Sequence, residues 1–152
     1  MLGACDLTLM DFLNPTEILN QLELRDDMVA ADFGSGSGGW VLPLAQKLKF
    51  GKVYAIDIQE EALQALKVKT EISKVNNIRL IKADLELGLG SSIQTGLLDL
   101  VIASNLLFQI KNRKTVIIEA KRVLRAGGRL LLVDWWPQAS LGPVEGRVSA
   151  EE

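Results

Sequence analysis

Five short apolar runs, none with the polar alternation of a half-exposed strand, punctuate this sequence and limit what it can become. They lie at residues 28–33 (MVAADF), 53–57 (VYAID), 78–82 (IRLIK), 97–103 (LLDLVIA) and 129–134 (RLLLVD). Continuous apolar strands are those covered on both faces, the condition of a parallel sheet held between helical layers. Segments of helical spacing stand between them. Residues 15–24 put Ile18, Leu19 and Leu22 on one side, with Asn14 as cap and Pro15 at the first helical position. Residues 38–50 repeat Trp40, Leu44 and Leu48 before Gly51, and residues 60–74 carry Leu63, Leu66 and Ile72. Residues 113–125 carry Val116, Ile117, Ala120, Val123 and Leu124, with Gly127 as the expected cap. This alternation predicts an α/β chain, doubly wound around a mostly parallel sheet of about five strands.

The 152 residues suit one domain, expected over residues 1–136, with a tail at 137–152 where the pattern stops. The sequence holds no histidine and a single cysteine, Cys5, which excludes histidine triads, disulfide frameworks and thiolate zinc sites. No apolar run reaches the roughly 18 residues of a membrane span, and the N-terminus lacks a signal-peptide pattern, so a cytoplasmic protein is expected. A net charge of -2 gives no global attraction to nucleic acid. The densest basic region, Lys111, Arg113, Lys114, Lys121, Arg122 and Arg125, reads as the solvated face of a helix.

The loop ADFGSGSGGW at residues 31–40 carries the chemistry. Gly34, Gly36 and Gly38 or Gly39 let backbone approach a ligand and let the following helix pack closely. Gly34, Gly36 and Gly39 also satisfy G-x-G-x-x-G, with Asp57 at the distance expected of a ribose-binding acid, so an NAD-type oxidoreductase is one reading. Charge argues against it. A pyrophosphate is held by backbone donors and the positive end of the helix dipole, and Asp32 beside it opposes that. A ligand with an ammonium and a sulfonium group instead finds Asp32 an opposite charge in a partly buried site. S-adenosylmethionine is such a ligand.

The same loop resembles the first motif of class I S-adenosylmethionine-dependent methyltransferases. VYAIDIQ resembles the second motif and IRLIKADLE the third. LLDLVIASNLLFQI resembles the fourth, and VLRAGGRLLLVDW the helix, glycine turn and fifth strand beyond it. The likeness runs in order from about residue 12 to 136 and is closest to the small-molecule and ubiquinone-biosynthesis branch. It implies a Rossmann-like sheet, S-adenosylmethionine as cofactor, and methyl transfer to a small-molecule acceptor. It implies that Asp32, Gly34, Ser35, Gly36 and Gly38 organise the methionine end, that Asp57 accepts the ribose hydroxyls and that Ile58 lies against the adenine. Asp84 and the backbone of Leu85 are implied to meet the adenine amino group. Ser104, Asn105 and Leu106 border the methionine moiety, and Phe12 is a candidate lid.

Catalysis of an in-line displacement from an activated leaving group rests mainly on alignment, so the absence of histidine is no obstacle. If a base is needed, Asp134 at the end of the fifth strand is the candidate. Asp99, at the start of the fourth strand, reads as structural, because ligands bind at the carboxyl ends of such strands. Gln109 stands where relatives often have histidine or another polar residue, and Trp135 and Trp136 are candidates for a substrate wall. Ser149 and Glu152 have the spacing of a capping box, and the chain is expected to be truncated relative to the seven-stranded methyltransferase fold. The fifth strand is then an edge, for which a homodimer or a partner protein is the expected cover. An inactive cofactor-binding subunit that supports a partner is the alternative from a different functional class.

Overall fold

The computed structural model describes residues 13–151. Ten elements follow in order: α1 (Pro15–Gln21), β1 (Val29–Phe33), α2 (Val41–Lys47), β2 (Lys52–Asp57), α3 (Glu60–Ile72), β3 (Ile78–Lys82), β4 (Leu98–Ser104), a 3-10 turn (Leu107–Gln109), α4 (Arg113–Val123) and β5 (Leu124–Val133). The five strands form one sheet in the order β3-β2-β1-β4-β5, and every pairing is parallel. This is the doubly wound arrangement expected from the uninterrupted apolar runs. Side-chain alternation along β1 divides the core in two. Ala30 faces Trp40, Val41, Leu44 and Leu48, while Ala31 and Phe33 face Val116, Ala120 and Val123 of α4. The order of the strands reverses at β1 and β4, which is where such sheets open a crevice at their carboxyl ends.

Element ends differ from the periodicity in instructive ways. Helix α1 begins as expected, with the Asn14 side chain accepting from the Thr16 N–H and proline in the first turn. It stops at Gln21 because Leu22 turns extended, and Leu22 and Leu24 pack on the core. Helix α2 spans only Val41–Lys47, since residues 38–40 belong to the turn that precedes it. Gly127 does not cap α4. The helix ends at Val123, and β5 starts at once, pairing Leu98 with Leu124 before an irregularity brings Arg129 opposite Leu100. Gly127 and Gly128 lie within that irregular stretch.

The basic cluster around α4 is only in part a solvated face. Glu119 is 2% exposed and accepts from the Ser91 N–H at 3.1 Å and from the Arg122 guanidinium at 2.8 Å. Arg122 also donates to the Ile93 carbonyl at 2.8 Å and the Thr95 hydroxyl at 2.9 Å. This network ties the long β3–β4 connection to α4. Burial in this position is tolerable for a carboxylate because it is paired and accepts several donors.

Asp99 acts at the amino ends of the strands. It accepts from the Val29 N–H at 2.8 Å and pairs with Arg125, so one carboxylate joins the starts of β1, β4 and β5. The expected structural reading of Asp99 agrees with this geometry. Residues 137–148 do not trail away. The Arg147 guanidinium donates to the carbonyls of Pro137, Ala139 and Pro143 at 3.0, 2.7 and 2.6 Å, and the Val148 N–H donates to Trp135 at 2.9 Å.

Candidate functional site

The glycine loop lies over the carboxyl ends of β1 and β2. The N–H groups of Gly34 and Ser35 both donate to the Ile56 carbonyl, at 2.8 and 2.9 Å, which turns the chain back across β2. Gly34 has a φ of +74°, and a Cβ there would stand 2.9 Å from Leu106 Cδ1. Its left-handed conformation favours glycine, and a side chain there would also displace the end of Leu106. Gly38, at φ +91°, is strained for any side chain, and a Cβ there would overlap Cδ1 of the fully buried Leu66 of α3, which would have to shift. The outer side of the loop is clamped by Lys69, whose Nζ donates to the Ser37 carbonyl and hydroxyl at 3.0 Å each. Periodicity offered no sign of this clamp, because its partners are joined only by the packing of α3 on the loop.

Asp32 sits on β1 in the middle of the sheet, paired in register with Ala55 on one side and Ile102 on the other. It is 1% exposed, and its Oδ1 has no hydrogen-bond partner. Burial, and secondarily the charge of Asp57, push its pKa up to about 8. A buried carboxyl group with an open acceptor is costly in isolation, and that cost falls when a cation or donor meets it. The Ser35 hydroxyl is also buried without a partner.

Asp57, at the end of β2, accepts from the Gly36 N–H at 2.7 Å through Oδ2 and from the Gln59 N–H at 2.9 Å through Oδ1. Each carboxylate oxygen can accept more than once, so two hydroxyl donors can still be served. Ile58 follows it and is 57% exposed, an apolar side chain left open beside the loop. Asp84 accepts from the Glu86 N–H at 2.9 Å in a turn beyond β3. Leu85 buries its side chain in the core, which leaves its backbone as the part that can meet a ligand.

Ser104 ends β4, and Asn105 takes a left-handed φ of +51°. The Asn105 N–H donates to the Val133 carbonyl at 2.7 Å, and the Gln109 amide donates back to the Asn105 carbonyl at 2.7 Å. Leu106 then reaches Gly34. Asp134 accepts from the Leu107 N–H through Oδ2 and from the Trp135 N–H through Oδ1, both at 2.8 Å. Trp135 packs closely against Gly142, and Trp136 is 51% exposed. Asp32, Gly34, Gly36, Asp57, Ser104, Asn105 and Leu106 are thus gathered at one end of three adjacent strands. Phe12 and Glu152 lie outside the described residues. Two shallow surface clefts, of about 600 and 550 Å3, open elsewhere, beside Leu22, Arg25 and Lys47 and beside Met28, Arg125 and Arg129. They adjoin the opposite ends of the strands. Among the described residues no helix is long and apolar enough to cross a membrane.

Comparison with known proteins bears on the fold and the family. The model of the methyltransferase-domain family matches residues 24–151. A Methanocaldococcus jannaschii protein named "Probable cobalt-precorrin-6B C(15)-methyltransferase (decarboxylating)" is 35% identical over 68 residues, 45% of this chain and 36% of that protein. The chain spans about a third of the length of the curated relatives it matches. The crystal structure of a SAM-dependent methyltransferase from Aquifex aeolicus superposes with a TM-score of 0.78, at 24% identity, over 91% of this chain and 73% of that one. Phosphoethanolamine N-methyltransferase 1 of Haemonchus contortus, solved with phosphoethanolamine and S-adenosylhomocysteine, superposes with a TM-score of 0.69 at 20% identity, over 91% of this chain and 29% of that one. At these identities the two structures carry the fold.

Proposed function

This chain belongs to the methyltransferase-domain family, and on that premise we propose that it binds S-adenosylmethionine in the crevice under the glycine loop and serves methyl transfer to a small-molecule acceptor. The observation that carries the reading is Asp32, buried at 1% exposure with Oδ1 unpartnered. An orphaned carboxyl oxygen at that place suits a cationic methionine end and opposes a pyrophosphate, so an NAD-type reading is not favoured.

The remaining residues fit the same ligand. Asp57 would take the ribose hydroxyls while keeping its bond to Gly36. Ile58 would lie along one face of the adenine, with Asp84 and the Leu85 backbone at its edge. Ser35, Ser104, Asn105 and Leu106 would border the methionine. When bound, S-adenosylmethionine supplies a methyl group on a positively charged sulfur. The chain's own part is to align that methyl with the acceptor and to exclude water, which for such a displacement supplies most of the catalysis. Support for a small-molecule acceptor comes from the names of the M. jannaschii relative and of the structural neighbour solved with phosphoethanolamine.

Titration calorimetry with S-adenosylmethionine and S-adenosylhomocysteine tests the reading. Saturable one-to-one binding of both is expected, and Asp57→Ala should weaken each by about tenfold or more through loss of charge-assisted hydrogen bonds. No binding at millimolar ligand by a folded protein would sink it.

A further inference from the structure

We propose that Asp134 is a positioning residue for the cofactor: its carboxylate holds the loop after β4 so that Leu106 closes over Gly34. The inference rests on the methyltransferase reading above and deepens it. Leu106 is bracketed by two anchors, both from the end of β5. On one side the Asn105 N–H donates to the Val133 carbonyl at 2.7 Å. On the other the Leu107 N–H donates to Asp134 Oδ2 at 2.8 Å. Between them the chain takes the left-handed turn at Asn105, with φ +51°, a conformation that asparagine tolerates better than most side chains and that the two flanking bonds hold in place. The second oxygen of Asp134 is engaged as well, by the Trp135 N–H at 2.8 Å. The Leu107 carbonyl is in turn held by Arg113 Nε at 3.0 Å.

The product of these bonds is the contact at the loop. Leu106 Cδ1 would stand 2.9 Å from a Cβ at Gly34, so the leucine occupies the space that a side chain on the first glycine would fill. Both oxygens of Asp134 are occupied by backbone donors on either side of the loop. Asp134 thus acts on the site through Leu106.

The test needs no knowledge of the acceptor. The dissociation constant for S-adenosylhomocysteine is measured for wild type, Asp134→Ala, Asp134→Asn, Leu106→Ala and the double variant Asp134→Ala with Leu106→Ala, and folding is checked by circular dichroism. Asp134→Ala is expected to weaken binding about tenfold, the loss associated with hydrogen bonds to a charged group. Asp134→Asn keeps one acceptor and should lie between alanine and wild type. The double variant should bind no more than about twofold worse than Asp134→Ala alone, because the two residues act as one device. Wild-type affinity in a folded Asp134→Ala protein overturns the proposal, as does a double variant whose losses multiply. If Asp134→Ala fails to fold, Asp134→Asn decides: weakened binding supports the assignment and unchanged binding overturns it. Failure of the wild-type protein itself to bind would instead bring down the methyltransferase reading.

Discussion

Replacing Asp32 by asparagine separates the charge of this carboxyl group from its shape, because the amide closely matches the protonated acid. In the free protein the pKa of Asp32 is pushed up to about 8, by burial first and then by the charge of Asp57. Unfolding returns it to the ordinary value of 3.8. Between these values the native state holds one more proton than the unfolded chain, so stability falls as pH rises. The contribution is full below pH 3.8 and lost as pH climbs through about 8. Well inside that window the slope is about 1.4 kcal/mol per pH unit, or roughly 3–6 °C in melting temperature for a domain of this size.

Ligand binding should run the other way. A cationic methionine end needs the ionised carboxylate, and with a pKa of about 8 only about a tenth of the protein carries it at pH 7. The apparent affinity for S-adenosylmethionine should therefore tighten roughly tenfold from pH 7 to 8.5. In Asp32→Asn that tightening should vanish, and the melting temperature should lose the slope that wild type shows between pH 5 and 7.5. Thermal melts of free protein and calorimetry across pH measure both effects. Parallel pH profiles for the two proteins, in melting or in binding, would refute the assignment of the titrating group.

Two further substitutions probe the frame that carries the site. Gly38→Ala combines a φ of +91° with an overlap on Leu66, and should destabilise the fold by about 3 kcal/mol, whereas Gly39→Ala, with nothing within 4 Å of its Cβ, should stay within about 0.5 kcal/mol; equal urea midpoints for the two would contradict this. Glu119→Gln leaves Arg122 without its buried carboxylate partner and should lower stability by about 3 kcal/mol with an unchanged urea m-value. Arg122, aided by Ser91, holds the Glu119 carboxyl below its ordinary pKa of 4.5. Its contribution is present above that value and lost as pH falls through the lower folded one, so the wild-type advantage should shrink in acid.

Much of the fold was legible because a parallel strand buried on both faces must be apolar, as the central strands β1, β2 and β4 largely are, whereas the edge strands β3 and β5 keep an apolar run although they are only partly buried. Helix interiors were equally plain from Leu63 and Leu66 or Val116 and Ala120. Their ends were not. Gly127 has the composition of a helix cap, yet the pairing of Leu98 with Leu124 draws the chain into the sheet first, a long-range preference that no local pattern carries. Arg122 looks like any surface cation until Glu119 and the β3–β4 connection are brought to it.

The candidate site divides in the same way. Asp32, two residues before Gly34, favours by residue type a cationic ligand over a pyrophosphate, while Asp57 ends β2 and Asp84 lies in the turn just beyond β3, on the carboxyl side of the sheet. These are properties of residue type and spacing. What tertiary structure decided is which groups remain available. The sheet buries Asp32 and leaves Oδ1 without a partner, and β5 brings Asp134 to the Leu107 N–H, engaging a carboxylate that sequence alone left as a candidate base. The physical reason is that hydrogen-bond saturation depends on neighbours far along the chain, whereas charge and conformational freedom belong to the residue itself.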